Sequence, residues 1–142
     1  MAENTQELMN ALQKEKDIHQ FARDNESVFI EKPLVSYLEG LLKKTNRKKA
    51  DIIKKAGLAT VYGYQIFDGK REPKRDKVIQ LAVGFGLGVE ETQRLLKIAG
   101  HSELYPKLKR DALIIYGIHN GLNIDEIEEL LYDMGEKGFE KG

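Results

Sequence analysis

The C-terminal half of the sequence repeats itself at a constant offset of 35 residues. The segment KRDKVIQLAVGFGLGVEETQRLLKIAG (74–100) aligns without a gap on KRDALIIYGIHNGLNIDEIEELLYDMG (109–135), and ten of the 27 positions are identical. Each copy has apolar residues at helical spacing, a Gly-Leu turn and a closing glycine, a pattern that predicts a helical hairpin. Because a hairpin cannot bury its apolar face alone, we expect the two copies to pack on each other and on the rest of the chain.

The two copies differ where their second helix begins. In the second copy Asn123 is predicted to cap that helix, with Glu126 at the capping-box position. In the first copy Gly88 takes the same place. A structural reason for the duplication is favoured over a dedicated ligand site in the hairpins.

Helical patterns also fill the N-terminal half of the chain, where alternating β-rich runs are nearly absent. Apolar spacing, Pro33 and the stops at Gly57 and Gly69 predict five helices, over 4–13, 17–23, 33–42, 50–56 and 60–68. The sequence thus predicts an all-α fold in three parts, an N-terminal helical extension (1–32), a central domain (33–100) and a C-terminal hairpin (101–142) that repeats 74–100.

Composition excludes several classes of protein. The chain has no cysteine, so neither disulfides nor thiolate chemistry are available to it. The first ten residues lack the basic and apolar regions of a secretory signal, and the longest apolar run, ALIIYGI (112–118), is far too short to span a bilayer. We therefore expect a cytoplasmic protein without a membrane partner.

The net charge of zero conceals an uneven distribution. Residues 42–77 carry twelve Lys and Arg against four Asp and Glu, a net charge of +8. Residues 1–31 carry three positive against seven negative side chains, and residues 121–142 carry two against seven. A basic centre between acidic ends is typical of a nucleic-acid-binding protein, although a solvated lysine-rich helix face would have the same composition.

The basic centre contains the spacing of a helix, a sharp turn and a second helix over residues 49–66. Ile52 and Ala56 are predicted to face inward on the first helix, and Leu58 to enter the core after the turn. Gly57 suits the turn because the turn requires a residue that tolerates positive φ. In this arrangement the second helix is presented to the major groove of DNA.

The stretch KKADIIKKAGLATVYGYQIFDGKREP, followed by KVIQLAVGFGLGVEE, resembles the phage-repressor-like (Cro/XRE-type) helix-turn-helix DNA-binding family. The resemblance covers roughly half of the chain, from Leu34 to about Gly100. It implies a repressor-like core with a recognition helix at about 60–68, and a non-enzymatic transcriptional regulator that binds specific sequences of double-stranded DNA. It also implies a homodimer of prokaryotic or phage origin, with the second hairpin or the N-terminal segments as the dimer interface.

The resemblance also assigns roles to individual residues. The base-reading positions on the recognition helix are Thr60, Val61, Tyr64 and Gln65, although Tyr64 fits an exposed surface tyrosine equally well. The phosphate-contacting positions are Lys48 or Lys49 at the first helix, and Lys70, Arg71, Lys74 and Arg75 after the second. Gln65 has the chemistry to bond an adenine edge, and the methyl groups of Thr60 and Val61 suit a thymine methyl.

Several positions depart from the family pattern. Ile53 replaces a small residue and Gly63 replaces a bulky one, and in that fold the two positions approach each other. We therefore predict an exchange of volume that keeps the core filled. Ala59 lacks the usual capping hydroxyl, and Asp68 places a negative charge where the family has a neutral or basic side chain near the DNA backbone.

Catalysis, metals and cofactors have little support in the sequence. His19, His101 and His119 are far apart without metal-ligand spacing, and no phosphate loop or nucleophile elbow is present. We therefore expect no catalytic residue, no metal site and no cofactor, and the sequence identifies no effector. The alternative to a DNA-binding regulator is a protein-interaction adaptor on the same scaffold, whose basic helix or acidic ends bind another protein.

Overall fold

The structure, a computed structural model, describes residues 4–29 and 32–140. These residues form nine α-helices and no β-strand, which confirms the prediction of an all-α protein. The helices are α1 (Thr5–Lys14), α2 (Ile18–Asp24), α3 (Pro33–Thr45), α4 (Lys49–Lys55), α5 (Thr60–Phe67), α6 (Arg75–Phe85), α7 (Val89–Ile98), α8 (Lys109–His119) and α9 (Ile124–Asp133). A single turn of 3₁₀-helix covers Glu26–Val28.

The chain divides into two compact units, Met1–Glu31 and Lys32–Gly142. In the first unit the Asn4 side chain caps α1 by accepting a hydrogen bond of 2.7 Å from a backbone N–H in the first turn. Phe21 is buried in α2, whereas α1 has no buried residue. The second unit contains both the central domain and the C-terminal hairpin, so the boundary expected after Gly100 separates two repeats within one compact unit.

The core of the second unit is built around α6, of whose eleven residues eight are buried. α4 packs against α5 and α6, and α3 packs against α5 and α7. The Phe67 ring at the end of α5 meets the Phe85 ring at the end of α6, with centroids 6.3 Å apart. These contacts hold α5 by one face and leave its other face to solvent.

The two repeats form helical hairpins, α6–α7 and α8–α9, as predicted. Each hairpin turns at a glycine with a left-handed backbone, Gly86 at φ 73° and Gly121 at φ 69°, a conformation that residues with a Cβ rarely adopt. Asn123 and Glu126 form the predicted capping box at the start of α9, and Gly88 occupies the N-cap position of α7.

The Arg-Asp pair that opens each repeat holds the two hairpins together. Arg75 in α6 binds Asp111 in α8 through two hydrogen bonds of 3.0 and 2.9 Å. Arg110 in α8 binds Asp76 in α6 in the same way, at 2.9 and 3.0 Å. In addition, α6 packs on α9 and α7 packs on α8. The hairpins are therefore related by an approximate two-fold axis, and each repeat supplies the same residues to the other.

The structural repeat extends beyond the repeat that is visible in the sequence. After each closing glycine the chain returns to its own hairpin, where the backbone N–H of Leu104 donates to Gln93 at 2.7 Å and that of Phe139 donates to Glu128 at 3.3 Å. These residues are pairwise 35 positions apart, yet the segments HSELY and EKGFE that contain Leu104 and Phe139 share no identical residue. Both side chains are buried, so an apolar side chain and a backbone hydrogen bond maintain the equivalence without any identical residue.

Candidate nucleic-acid interface

A short turn that contains Gly57 and Leu58 joins α4 to α5. Gly57 has a φ of 71°, in the left-handed region, as predicted for this turn. Leu58 is buried, and its backbone N–H donates to the Ile53 carbonyl at 3.1 Å. The turn therefore holds the start of α5 against the end of α4 through both a backbone hydrogen bond and an apolar side chain.

Gly63 in α5 lies directly against Ile53 in α4. A Cβ added at Gly63 would lie 2.7 Å from both Cγ1 and Cγ2 of Ile53, closer than side chains approach each other in folded proteins. Ile53 is only 2% exposed, so its side chain fills the space that a larger residue at position 63 would occupy. The predicted close approach of these two positions is confirmed.

The outward face of α5 carries the residues predicted to read bases. Thr60, Val61 and Tyr64 are exposed, and Val61 is the most exposed large apolar residue that the structure describes, at 70%. Gln65 is half-buried beside them. The inward face is buried and consists of Gly63, Ile66 and Phe67. The structure thus brings all four predicted side chains to the accessible part of one helix.

Gln65 also connects α5 to the loop that follows it. Its carbonyl oxygen accepts hydrogen bonds from the backbone N–H groups of Lys70 at 2.9 Å and Arg71 at 3.2 Å. These bonds fold the loop back onto the last turn of α5, as at a helix C-terminus that ends in a glycine. The backbone positions of Lys70 and Arg71 are therefore fixed relative to the exposed face of α5.

Four of the six predicted phosphate contacts remain accessible cations. Lys48, Lys70 and Lys74 are exposed, and none of them has an acidic partner among the residues that the structure describes. Arg71 is exposed, with its guanidinium carbon 5.9 Å from the centre of the Tyr62 ring, a cation–π contact that leaves its N–H groups to other acceptors.

The structure gives the two other predicted cations partners within the protein. The Lys49 amine lies 3.3 Å from the Glu39 carboxylate and 5.7 Å from the centre of the Phe67 ring. Arg75 is turned toward the second hairpin, where it forms the ion pair with Asp111. The family resemblance placed Arg75 at a phosphate, whereas in the structure its guanidinium is bound to Asp111, the residue that lies 35 positions after Asp76 in the repeat.

Ala59 and Asp68 stand at the two ends of α5. Ala59 occupies the N-cap position, and no side chain caps the helix there. Asp68 occupies the C-cap position and is exposed, on the side of the helix that carries Tyr64. A negative charge at that place lowers the attraction between this end of α5 and a phosphate backbone.

Lys32 is a cation near the same loop that sequence reasoning missed. Its amine lies 3.5 Å from the Gly69 carbonyl oxygen, and its side chain is exposed. A Cβ added at Gly69 would lie 3.0 Å from both Lys32 Cδ and Val35 Cγ2, so the glycine permits this close approach. Because Lys32 and Gly69 are 37 residues apart, no local pattern relates them.

In the part of the chain that the structure describes, no group of three or more His, Cys, Asp or Glu side chains is placed to hold a metal ion. No helix within those same residues has the length and apolar character needed to cross a membrane.

Comparison with protein-family models finds no family that matches the chain, and comparisons with curated proteins and with solved structures find no significant match. The class of protein therefore has to follow from the arrangement of its own residues.

Proposed function

We propose that this protein binds specific sequences of double-stranded DNA as a transcriptional regulator, with α4, the turn and α5 as a repressor-like helix-turn-helix. The observation that carries the proposal is the two-sided character of α5. One face is locked into the core through Gly63 and Phe67, and the other presents short, sequence-reading side chains to solvent. A helix held in this way enters the major groove without losing its own packing.

The exposed face of α5 has the chemistry for direct readout of bases. The Gln65 amide offers a donor and an acceptor to the N7 and N6 positions of adenine, and the methyl groups of Thr60 and Val61 suit a thymine methyl. Tyr64 adds a hydroxyl that reaches either a base or a phosphate. Val61 supports this role most directly, because a 70% exposed valine gains from apolar contact that the free protein does not provide.

The accessible cations supply contacts to the phosphates on either side of the groove. Lys48 precedes α4, and the loop after α5 contributes Lys70, Arg71 and Lys74. We add Lys32, whose amine lies near this loop, and we leave out Arg75 because its guanidinium is already bound. Such contacts determine affinity and register and do not distinguish sequences.

Selection of duplexes from a random pool, followed by binding measurements over a range of salt concentrations, tests the proposal. With five phosphates neutralised by each chain, the logarithm of the association constant should fall with the logarithm of salt concentration with a slope of about −4.5 per bound chain. Absence of duplex affinity even at low salt would contradict the proposal and favour the protein-interaction adaptor.

Two substitutions separate base reading from phosphate binding on the selected site. Gln65→Ala should cost about 1–3 kcal/mol at one base pair and relax the preference there. Arg71→Ala should weaken binding to all sequences alike and reduce the salt slope by about 1. Arg94→Ala, which removes the same charge from an exposed position in α7, is the matched control and should have a much smaller effect.

We further propose that the protein binds its operator as a homodimer, since helix-turn-helix proteins read half-sites in pairs and each chain has one α5. The second hairpin uses its Arg-Asp pair within its own chain, so this contact is not available to a second copy. Sedimentation equilibrium of the full-length chain measures its mass with and without the selected duplex. A protein that stays a monomer on a two-fold operator would refute the dimer.

A further inference from the structure

The loop between α5 and α6, residues 68–74, carries three of the cations proposed to contact phosphates and is held at both ends. Its start is fixed by the hydrogen bonds from Lys70 and Arg71 to the Gln65 carbonyl. Its end is fixed by residues that follow the first hairpin. His101 donates a hydrogen bond of 2.8 Å from Nε2 to the carbonyl oxygen of Pro73, which is buried.

Arg75, the first residue after this loop, is almost fully engaged by the protein. Besides Asp111, its guanidinium donates to the carbonyl oxygens of Ser102 at 3.1 Å and Glu103 at 2.9 Å. A guanidinium has five N–H groups, and four hydrogen bonds to carbonyl and carboxylate oxygens occupy most of them. Arg75 therefore has little capacity left for a phosphate.

Asp111 is the acceptor at the centre of this arrangement. It is only 3% exposed, and its carboxylate also accepts a hydrogen bond of 2.9 Å from the backbone N–H of Tyr105. Burial alone would raise the pKa of Asp111, but the hydrogen bonds from Arg75 and Tyr105 and the charges of Arg75 and Arg110 outweigh burial and lower that pKa below 3.8. The carboxylate is thus charged at neutral pH, and both of its oxygens accept hydrogen bonds within the protein.

We propose that the second hairpin and the segment that leads into it set the position of the phosphate-binding loop, with Asp111 in the hairpin and His101 in the segment as positioning residues that act through Arg75 and Pro73. This inference rests on the proposed function. A loop whose end is fixed before DNA arrives loses little freedom on binding, so the same cations bind more tightly than they would from a mobile loop. The hairpin thereby strengthens binding to every sequence without contacting DNA.

Asp111→Asn distinguishes this proposal from a direct role of Arg75 at the DNA, because the two hypotheses predict opposite changes in DNA affinity. The substitution is nearly isosteric and removes a negative charge. If Arg75 reaches a phosphate once Asp111 no longer holds it, affinity rises and the salt slope steepens by about 1. If Asp111 positions the loop, affinity falls by about tenfold on selected and unrelated duplexes alike. Asp133→Asn, at an exposed position at the end of α9, measures the effect of the charge change alone.

Arg75→Lys provides a second variant with the charge of Arg75 intact. A lysine at a phosphate contact would retain most of the affinity, whereas a lysine in place of the bidentate pair with Asp111 should lose about as much affinity as Asp111→Asn does. Retained affinity in Arg75→Lys, or unchanged or tighter binding in Asp111→Asn, would overturn the positioning role.

Amide hydrogen exchange of the free protein tests the loop without reference to DNA. In Asp111→Asn the amides of residues 70–72 and of Lys74 should exchange faster, while those of α4 and α5 keep their rates. Faster exchange throughout α4 and α5 would indicate general destabilisation and would contradict the proposal. If the wild-type protein binds no duplex, the proposed function fails, and the exchange measurement still decides whether the hairpin holds the loop.

Discussion

Gly63→Ala should destabilise the protein relative to a matched Gly→Ala change elsewhere in a helix. The new methyl group would lie 2.7 Å from Cγ1 and Cγ2 of Ile53 and 2.9 Å from its Cδ1. Both γ carbons are bonded to the branched Cβ, so they cannot move away without a change of χ1 or of the backbone. Gly40 in α3 is the control, because a Cβ there would meet no atom within 4 Å.

Opposing effects determine the size of the change. Replacing glycine with alanine inside a helix gains about 1 kcal/mol of stability, which Gly40→Ala should show in full. At Gly63 an overpacking cost of about 1–3 kcal/mol opposes that gain, so the net effect ranges from neutral to a loss of about 2 kcal/mol. Ile53→Ala alone should cost about 2–5 kcal/mol, because it leaves a cavity in a buried site.

The double variant tests whether the two positions share one volume. In the Ile53→Ala background the methyl of Gly63→Ala enters a cavity, so it should stabilise by about 1 kcal/mol from helix propensity and about 0.8 kcal/mol from burial. The coupling free energy between the two substitutions should therefore be about 2–4 kcal/mol.

Urea unfolding followed by far-UV circular dichroism measures all four proteins of the cycle, together with Gly40→Ala, under one condition. Equal stabilisation by Gly63→Ala and Gly40→Ala would refute the close contact. Additive effects of Gly63→Ala and Ile53→Ala would refute the exchange of volume even if each single variant behaved as expected. An m-value that changes between variants would remove the basis for comparing them.

Three further predictions follow from the hairpins, and urea unfolding measures each of them. Asn123→Ala should cost about 1 kcal/mol, because it removes the side-chain half of the capping box at α9; no loss would mean that the cap contributes nothing. The free energy of unfolding should fall as the pH drops below about 4 and through the lowered pKa of Asp111, since a carboxyl with a depressed pKa stabilises the fold only while it is charged. The Asp111→Asn variant should show a weaker dependence over the same range. Gly117→Ala should destabilise the protein, because Cγ1 of Ile127 would lie 2.7 Å from the new Cβ. The double variant Gly117→Ala/Ile127→Thr has the residues found at the equivalent positions of the first hairpin, Ala82 and Thr92, and should be more stable than the sum of the two single changes predicts.

The helices and the hairpins could be predicted because their signals are local. Apolar spacing, the glycines that end helices and the Asn123 cap act over a few residues, and the structure confirms each of them. The reciprocal pairing of the repeats could not be predicted in the same way, because the sequence does not show which helix of one repeat packs on which helix of the other. The identical Arg-Asp pair at the start of each repeat was visible, but the family resemblance assigned Arg75 to a phosphate and left its pairing with the other repeat unnoticed.

In the candidate site, too, local features could be predicted and contacts between distant residues could not. The exposed face of α5 follows from helical periodicity, which places Val61 outside and Ile66 inside. The volume exchange between Ile53 and Gly63 could be predicted only because a family resemblance indicated which positions approach each other. Lys32 could not be predicted, since a contact across 37 residues leaves no periodic signal.

The second hairpin differs from the first on the face that meets α4. Gly84 allows α4 to approach α6 so closely that a Cβ there would lie 2.7 Å from the Ile52 carbonyl oxygen. The equivalent residue in the second hairpin is His119, which is exposed, and the equivalent of buried Leu81 is Tyr116, which is 58% exposed. An imidazole in place of Gly84 excludes a second helix at that distance. The duplication therefore enlarges the core and ends it with a solvent-facing unit. Under the proposed function each chain supplies one α5, so two chains are needed to read a two-fold site.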